Sequence, residues 1–457
     1  MGQAWAAPIF RLWMIQVKLS PMNIAIIGAG PAGLAAAHDF LNAGHSATIF
    51  EAAPAPGGLA AGFKEPHWKW SVEKFYHHWF QSDADLLKLA DETGLRAGVQ
   101  FHSPKTVSYW NGNFYPLDSP VAALLFPGLS LFDKIPFGLA TIYLKYLTGN
   151  GIGLEKYTAH DWASRWMGKG AYELIFQPLL DGKFGEAYSR KVNMAWLWAR
   201  LKSRTSKLGT YEGGGQKFYD DLAANLQKRG ANIVYSARVQ NLAQADGAWA
   251  VAVSINQQAA QTQKFDMVLS TTSPKVMGKL APQLPSNYLG ALNDLKSLGA
   301  VVAVFSLSHP LSENGYYWHS LPKSAGFPYL AMCEHTNFVS PENFGGDRIV
   351  YCGDYLPADH RYFSMSADEI AAEYAPSLKR FNEKFDPSWI KKTWVFKEAY
   401  AQPVPLVNHS RNVPPTKTPL PGLYFASMSQ VYPWDRGTNF AVEIGRRVAR
   451  EMMAERK

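Results

Sequence analysis

The sequence contains only two cysteines among its 457 residues. Cys333 and Cys352 both lie in apolar stretches, and two thiols cannot make a disulfide framework or a thiolate zinc site. We therefore predict a cytoplasmic location, a packing role for both cysteines and no metal centre.

Charged side chains are also scarce. They make up 18% of the sequence, against about 25% in ordinary soluble domains, whereas apolar residues make up 47%. This balance predicts an apolar partner, either a small molecule or a membrane surface. The formal net charge of +8 comes from basic residues spread along the chain, which favours anionic small molecules or acidic lipid over nucleic acid.

Long apolar runs are missing as well. No stretch reaches the about 18 consecutive apolar residues of a spanning helix, so a transmembrane segment is not expected. The nearest candidate is the segment 120–147, which is broken by Pro127, Asp133, Lys134 and Pro136. Three interpretations of it stay open: a buried helical pair, the wall of an apolar substrate tunnel, or a segment in a membrane interface.

Residues 1–21 lack the basic start, long apolar run and cleavage site of a signal peptide. Met22 directly precedes the first predicted strand, which favours a loose extension before it. The alternative is an interfacial anchor using Trp5, Phe10 and Trp13.

The run NIAIIGAGPAGL has the spacing of a dinucleotide-binding turn. Gly28 permits the tight turn after a short buried strand, and Gly30 lets the backbone approach a pyrophosphate. Gly33 lets the following helix, opened by Pro31 and Ala32, pack closely on that strand. The free N–H groups at the start of the helix would face the phosphates.

An acidic residue stands at the expected distance from this turn. The helix stops at Gly44, a second strand covers residues 46–50, and Glu51 follows, 23 positions after Gly28. Its carboxylate would accept both ribose hydroxyls of an adenosine and repel a 2′-phosphate. NAD and FAD both remain after this step.

Gly57 and Gly58, in AAPAPGGLAAGF, follow the acidic strand end. The whole pattern resembles the FAD-binding family that includes protoporphyrinogen oxidases, phytoene desaturases, monoamine oxidases and, more distantly, UDP-galactopyranose mutases. The resemblance implies FAD as cofactor, with the glycine pair turning beside the diphosphate and Ala52 and Leu59 among the contacts.

Two later segments strengthen the resemblance. Residues 209–242 resemble the second cofactor segment of the family, which implies that the Val239 backbone contacts the adenine side. Residues 421–452 resemble its closing motif. There Gly437, Thr438 and Asn439 would open a helix whose backbone donors face the flavin N1 and O2 end.

One position departs from the family pattern. Ala426 and Ser427 stand where the family commonly has Gly-Asp, so Asp435 or Ser427 is the candidate replacement for the missing acidic contact. No cysteine lies near this segment, which implies that FAD is held without a covalent link.

The length predicts two domains, and three cofactor segments separated by long insertions predict that they are interleaved. We expect an α/β protein with a discontinuous Rossmann-like FAD-binding domain (22–100, 205–285 and 395–457). The remaining pieces, 101–204 and 286–394, would form an α+β substrate-binding domain with an antiparallel sheet.

His77 and His78, in SVEKFYHHWF, follow the glycine pair at the distance where relatives pass the flavin ring. Either could exchange protons with substrate, or both could simply bond to backbone. Lys183, in PLLDGKFGEAY, could bind an anionic group with help from Arg200 and Arg204, or be solvated.

A second set of candidates would face substrate. Glu334 and His335, in CEHTNF, end an apolar strand, and Tyr400 could contribute to an aromatic wall at the flavin. Packing in the core is the alternative for the aromatic residue.

The resemblance implies an FAD-dependent oxidoreductase that moves hydride from an apolar or lipid-like molecule to flavin, with oxygen or a quinone as acceptor. The alternative is a non-redox flavoenzyme acting on a nucleotide sugar, like UDP-galactopyranose mutase, and a third is a flavin-binding scaffold without turnover. Peripheral contact with the inner face of a membrane and the oligomeric state stay open.

Overall fold

The computed structural model describes residues 20–203 and 205–455. Trp5, Phe10, Trp13 and Arg204, which entered the sequence predictions, lie outside the described residues.

The regular elements follow one another along the chain as helices and short strands. The strands are β1 Asn23–Ile27, β2 Ser46–Phe50, β3 Gly62–Phe63, β4 Val72–Glu73, β5 Trp79–Phe80, β6 Val99–His102, β7 Lys105–Trp110, β8 Asn113–Pro116, β9 Leu208–Tyr211, β10 Asn232–Val234, β11 Ala237–Ala245, β12 Ala248–Ile255, β13 Gln261–Phe265, β14 Met267–Ser270, β15 Ser297–Leu307, β16 Tyr316–Ser320, β17 Ala331–Glu334, β18 Arg348–Leu356, β19 Ile390–Pro403 and β20 Leu423–Phe425. The helices are α1 Pro31–Asn42, α2 Ala84–Glu92, α3 Pro120–Leu125, α4 Leu131–Ile142, α5 Ala159–Trp166, α6 Lys169–Ala171, α7 Gln177–Tyr188, α8 Met194–Ser203, α9 Gly215–Lys228, α10 Pro274–Leu280, α11 Ser286–Asp294, α12 Ala367–Tyr374 and α13 Thr438–Ala454, with π-helical turns at Tyr143–Leu147 and Tyr172–Phe176.

A five-stranded parallel sheet with the order β10-β2-β1-β14-β20 carries the dinucleotide turn. Its central strand β1 is buried on both faces because helices cover one side and the β11–β13 sheet covers the other. Ile24 and Ile26 point to the helical side, and Ala25 and Ile27 to the other. This alternation is what a doubly covered strand requires.

A seven-stranded sheet, β19-β15-β18-β17-β16-β7-β8, forms the second layer of the molecule. Its pairs are antiparallel except where β16 runs parallel to β7. In β15, Val301 and Phe305 pack on one side and Val302 and Val304 on the other, so this sheet too is covered on both faces. The predicted α/β class with an antiparallel sheet is confirmed.

A helical insert, residues 120–203, contains α3 to α8 and packs around a core of its own. Leu144, Phe184, Trp196 and Trp198 are all buried there. None of the helices in the described part of the chain combines the length and apolar character that crossing a bilayer requires.

The chain's three cofactor segments meet in the parallel sheet, although they are far apart in sequence. Strands β1 and β2, then β10 and β14, then β20 supply it in turn. The predicted division at residue 395 falls inside β19, which belongs to the seven-stranded sheet.

Candidate cofactor and active site

The first turn after β1 is closed by backbone alone. Gly28 has φ +108°, a conformation that favours glycine. A Cβ on Gly33 would lie 2.0 Å from the carbonyl oxygen of Gly28, so no side chain fits where α1 crosses the turn. Pro31 occupies the first turn of α1 after the N-cap Gly30, as helix starts favour. The free N–H groups of this helix end suit a phosphate.

Glu51, at the end of β2, joins the turn to the next loop. Its Oε2 accepts the Ala29 N–H at 2.7 Å and its Oε1 accepts the Ala53 N–H at 2.8 Å. A carboxylate has about four acceptor sites, so two bonds leave room for ribose hydroxyls. The neighbouring Ala52 is exposed.

The second glycine turn packs directly on the first. Gly57 has φ +119° and donates its N–H to the Ala29 carbonyl at 2.9 Å. A Cβ on Gly58 would lie 3.3 Å from the Cα of Gly30. Leu59 lies in the short 3₁₀ turn that follows. The two turns therefore form one backbone-lined cradle of the kind a diphosphate needs.

Gln216 fastens this cradle to α9, and the sequence prediction did not single it out. Its Oε1 accepts the Gly62 N–H at 2.8 Å and its Nε2 donates to the Pro56 carbonyl at 3.0 Å. A glutamine directly after the triple glycine of the second cofactor segment was the available signal.

The predicted adenine contact lies close to Glu51. Ser236 N–H donates to the Ala53 carbonyl at 2.9 Å, and Ala237 N–H donates to the Glu51 carbonyl at 2.8 Å. These bonds hold the start of β11 against the end of β2. Val239 follows two residues later and is 8% exposed.

The closing helix α13 reaches the same region from the other end of the chain. A Cβ on Gly445 would lie 2.2 Å from the Ala32 carbonyl oxygen, so α13 packs directly on α1. Thr438 is buried after the N-cap Gly437. Asn439 Oδ1 accepts the N–H groups of residues 85 and 86, which fixes the start of α2. The backbone N–H groups in the first turn of α13, to which Asn439 belongs, remain the predicted flavin contact.

Asp435 collects three donors just before α13. Its Oδ2 accepts from the Arg200 guanidinium at 2.9 Å, and its Oδ1 accepts from Trp196 Nε1 and from the Arg436 N–H, each at 3.0 Å. Burial alone would raise the pKa of Asp435, but the positive charges of Arg200, Lys183 and Arg436 outweigh it and hold the pKa below the usual value. The carboxylate is therefore ionised at neutral pH.

Arg436 and Lys183 share a second pair of partners. Arg436 Nε donates to Gln402 Oε1 at 3.1 Å, and its guanidinium also bonds the Tyr355 hydroxyl. Lys183 Nζ lies 3.4 Å from the same Gln402 oxygen and 4.4 Å from the centre of the Tyr355 ring. We call Lys183, Arg200, Asp435 and Arg436 the charge cluster. It brings together three residues that the sequence prediction named and adds Arg436, which it missed although that residue lies directly after Asp435.

His77 and His78 point to different partners. His77 Nδ1 lies 2.6 Å from the Phe75 carbonyl, so Nδ1 carries the proton and Nε2 is an acceptor. Burial and the positive charge of Arg436 lower the pKa of His77 to about 4, so it is neutral at pH 7. His78 Nε2 lies 2.6 Å from the Tyr317 hydroxyl, and its ring packs edge-on against Tyr317 and Trp318.

Glu73 is a further titratable group beside the candidate site. A small cavity is lined by Glu73, His77, Trp79 and Tyr219, among others. Burial raises the pKa of Glu73 to about 7, although hydrogen bonding to the Gly215 backbone opposes the shift. Glu73 thus stands at the start of α9, half ionised near neutral pH.

We expect Glu73→Gln to make the protein more stable at pH 8 and to leave its stability unchanged at pH 4. The pKa of Glu73 is about 7 in the fold, above its unperturbed value of 4.5. Ionisation of Glu73 therefore costs more in the folded than in the unfolded state, and the protein loses stability as pH rises from 4.5 through 7. The glutamine does not ionise and avoids a cost of about 1–3 kcal/mol at pH 8. Urea denaturation at both pH values measures the difference, with the exposed Glu212→Gln as control. An equal gain at pH 4 and pH 8 would refute the assignment.

The three other predicted substrate contacts, Glu334, His335 and Tyr400, all have partners within the protein. Glu334 is fully buried, and its carboxylate accepts the N–H groups of Leu311 at 3.1 Å and Ser312 at 2.6 Å. His335 is buried among aromatic rings, and burial lowers its pKa to about 4. Glu334 therefore joins the end of β17 to the turn at Leu311 and Ser312, whereas His335 packs in an aromatic cluster. Tyr400 bonds to Ser429 Oγ at 2.7 Å, which places it beside the loop that follows β20.

A comparison with known protein families identifies the family of the chain. The sequence profile described as flavin-containing amine oxidoreductase matches residues 31–453, which begin directly after Gly30 and include the second glycine turn, Glu51 and the start of α13. The chain belongs to this family.

Two curated relatives of the chain match over shorter stretches. The 15-cis-phytoene desaturase of Synechococcus elongatus is 30% identical over 134 residues, which are 26% of this chain and 28% of the desaturase. The mitochondrial protoporphyrinogen oxidase of Nicotiana tabacum is 26% identical over 169 residues, which are 36% of this chain and 33% of the oxidase. The matches therefore span no more than 33% of either relative.

A solved structure shows the same fold over almost the whole chain. Cyclohexylamine oxidase from Brevibacterium oxydans superimposes with a TM-score of 0.67 at 13% identity, covering 95% of this chain and 99% of that one. The predicted resemblance and fold class are thus confirmed.

The cofactor is FAD, as membership of a flavin-containing oxidoreductase family indicates. The two glycine turns and Glu51 fit its diphosphate and ribose, and the exposed Gly437 at the start of α13 leaves backbone donors for the ring end. Both cysteines are fully buried in β17 and β18 as free thiols. When bound, FAD supplies a ring that accepts hydride from the substrate.

Proposed function

We propose that the protein removes hydride from a C–H bond of an apolar or lipid-like substrate and passes it to flavin, with oxygen or a quinone as the final acceptor. The observation that carries the proposal is the combination of a neutral His77 with aromatic walls beside the charge cluster. Tyr76 packs edge-on against Trp318 and Tyr351, with ring centres 5.1 and 5.9 Å apart. Such a site positions an apolar molecule and excludes water, which hydride transfer needs more than a strong base.

The chain's own residues would act on the charge that develops during the reaction. Arg436 and the amino end of α13 present positive potential on one side of the site, and this favours an anionic reduced cofactor. His77 Nε2, which has no proton, can accept a hydrogen bond or a proton from a substrate heteroatom. These roles for His77 and Arg436 are part of the proposal.

The nucleotide-sugar alternative has less support. It needs Lys183 and Arg200 to hold a diphosphate, but Arg200 is paired with Asp435 at 2.9 Å and Lys183 lies against Gln402 and the Tyr355 ring. The two curated relatives described above are a desaturase and an oxidase, which also favours redox chemistry. A cytoplasmic location fits the proposal, because both thiols are free.

We expect the purified protein to show flavin absorbance that is bleached, without oxygen, by an apolar donor such as a carotenoid precursor or a porphyrinogen, and restored by oxygen or a quinone. Long-chain amines serve as the comparison donor class. Dithionite should bleach the same flavin, which shows that it is accessible to reduction. If dithionite bleaches the flavin and no organic donor does, the proposal is contradicted and the protein is a flavin-binding scaffold without turnover. Binding of a nucleotide sugar to the reduced protein, lost in Arg200→Ala, would support the mutase alternative instead.

A further inference from the structure

Exposed apolar side chains are concentrated on one part of the helical insert. Among the described residues, fourteen large apolar side chains are exposed, and thirteen of them belong to this insert. Eleven lie on α3, α4 and the π-helical turn after α4, and we call these the apolar face: Val121, Leu124, Leu125, Leu131, Phe132, Ile135, Leu139, Ile142, Tyr143, Tyr146 and Leu147. Contiguous exposed surface of this kind marks an interaction site.

Helix α4 shows that the apolar face is not a by-product of core packing. Phe132 is 90% exposed, and Leu139, seven residues later on the same side, is 64% exposed. Ala140 and, one turn further on, Leu144 are buried in the core of the insert. The helix is therefore apolar on its inner side and on its outer side, whereas an ordinary surface helix is polar outside.

The charges around the apolar face indicate what covers it. Asp133 is the only acidic residue in the segment 120–147, and it is held by the Ser130 hydroxyl and the Gly170 N–H. Lys134 and Lys145 lie within the same segment. Positive charge among exposed apolar side chains suits an anionic surface.

Exposed aromatic rings paired with cations stand at the edge of this region. Lys156 Nζ lies 5.1 Å from the centre of the Tyr157 ring, and the Arg165 guanidinium lies 5.4 Å from that of Trp166. Both rings are exposed, at 45% and 55%. Tyrosine and tryptophan with neighbouring cations are typical of the boundary between acyl chains and lipid headgroups.

We propose that the apolar face docks on an anionic lipid bilayer, with α4 lying in the interface and Lys134, Lys145, Lys156 and Arg165 contacting the headgroups. At twelve residues, α4 is too short to cross the bilayer, and an amphipathic attachment needs only its outer side. The helical insert also carries Lys183 and Arg200, so docking would bring lipid to the substrate side of the molecule. The docking itself does not rest on the proposed redox function.

The test is co-sedimentation of the full-length FAD-bound protein with vesicles. We expect it to bind vesicles of phosphatidylcholine with phosphatidylglycerol, more weakly those of phosphatidylcholine alone, and less strongly as salt rises. The double variant Phe132→Asp/Leu139→Asp should reduce binding roughly tenfold or more, because two exposed anchors become anionic. Both positions are exposed, so unchanged flavin absorbance and melting temperature report an intact fold.

The matched control is Val276→Asp on α10, at the one exposed large apolar side chain outside the insert among the described residues. It should bind vesicles as the unmodified protein does. If the double variant binds as well as this control, the proposal is wrong. A change in oligomeric state in the double variant, without any vesicle binding by the unmodified protein, would instead assign the apolar face to a second copy of the chain and also overturn it.

Discussion

We expect Gly33→Ala to yield a protein that loses FAD during purification and binds it about 5- to 150-fold more weakly. The new Cβ would lie 2.0 Å from the Gly28 carbonyl oxygen, 3.2 Å from its carbon and 3.2 Å from Ile26 Cγ2. The clashing atom belongs to the backbone, so α1 must move away from β1. Such overpacking costs about 1–3 kcal/mol, which corresponds to a factor of about 5–150 in affinity if the strain is relieved only without ligand.

The same substitution elsewhere provides the control. Gly290, in α11, has no atom within 4 Å of the Cβ position and does not adopt positive φ. Gly290→Ala should retain FAD and gain a few tenths of a kcal/mol or more, because alanine favours the helix. Fluorescence titration of the apoprotein with FAD compares the two variants. Equal affinity in both would show that α1 is not held against the turn as described.

The cofactor cradle could be predicted from the sequence because its steric constraints act between residues that are close together in the chain. Gly28 to Glu51 is one strand-turn-helix-strand unit, and each glycine has a steric reason that acts within that unit. The second glycine turn adds a contact to the same loop, between Gly57 N–H and the Ala29 carbonyl. A sequence pattern captures such constraints because few backbones satisfy them.

The charge cluster could be predicted only in part. Asp435 meets Arg200 across 235 positions, and Arg436 meets Tyr355 across 81 and Gln402 across 34. No local pattern links these residues. The sequence predicts that Lys183 and Arg200 bind an anionic ligand, whereas the fold pairs Arg200 with the carboxylate of Asp435.

Polar residues at strand ends show a second limit of prediction from the sequence. The sequence predicts that Glu334, at the end of a buried strand, faces substrate, but its side chain is fully buried and accepts the N–H groups of Leu311 and Ser312. Whether a terminal carboxylate faces a cavity or a neighbouring turn depends on the packing of β16 and β18 around it. That packing is not encoded within the strand.

The segment 120–147 shows the same limit for apolar residues. Its sequence allowed a buried pair, a tunnel wall or an interfacial segment, because apolar residues occur on every side of its helices. Only the position of the insert core, on the side of Ala140 and Leu144, reveals that the opposite side is exposed. A helix sequence without a polar face does not indicate which of its sides packs against the core.

We expect Asp435→Asn to be the most destabilising single change in the charge cluster, at about 3–5 kcal/mol, because it leaves buried cations without their counter-charge. The side chains of Arg200 and Asp435 are only 12% and 15% exposed. Asparagine keeps an oxygen for Trp196 Nε1 and the Arg436 N–H, so the hydrogen bonds to Oδ1 survive. Its Nδ2 cannot accept from Arg200, so the loss combines the charge with that one hydrogen bond. Urea denaturation of the FAD-bound protein measures it.

The double variant Asp435→Asn/Arg200→Gln provides the internal control. It should recover part of the lost stability, since the unpaired Arg200 charge is removed together with its partner. If the loss of unfolding free energy in the double variant equals the sum of the losses in the two single variants, Asp435 and Arg200 are not coupled and the description of the charge cluster is wrong.

The pH dependence separates this carboxylate from Glu73. The pKa of Asp435 is lower in the fold than its ordinary value, so its stabilising charge is fully present above about pH 4 and is lost only as pH falls through the folded pKa. The penalty for Asp435→Asn should therefore stay constant from pH 5 to pH 8, whereas the effect of Glu73→Gln grows over that interval. A penalty for Asp435→Asn that vanishes at pH 5 would mean that the carboxylate already binds a proton there, which three neighbouring positive charges do not permit.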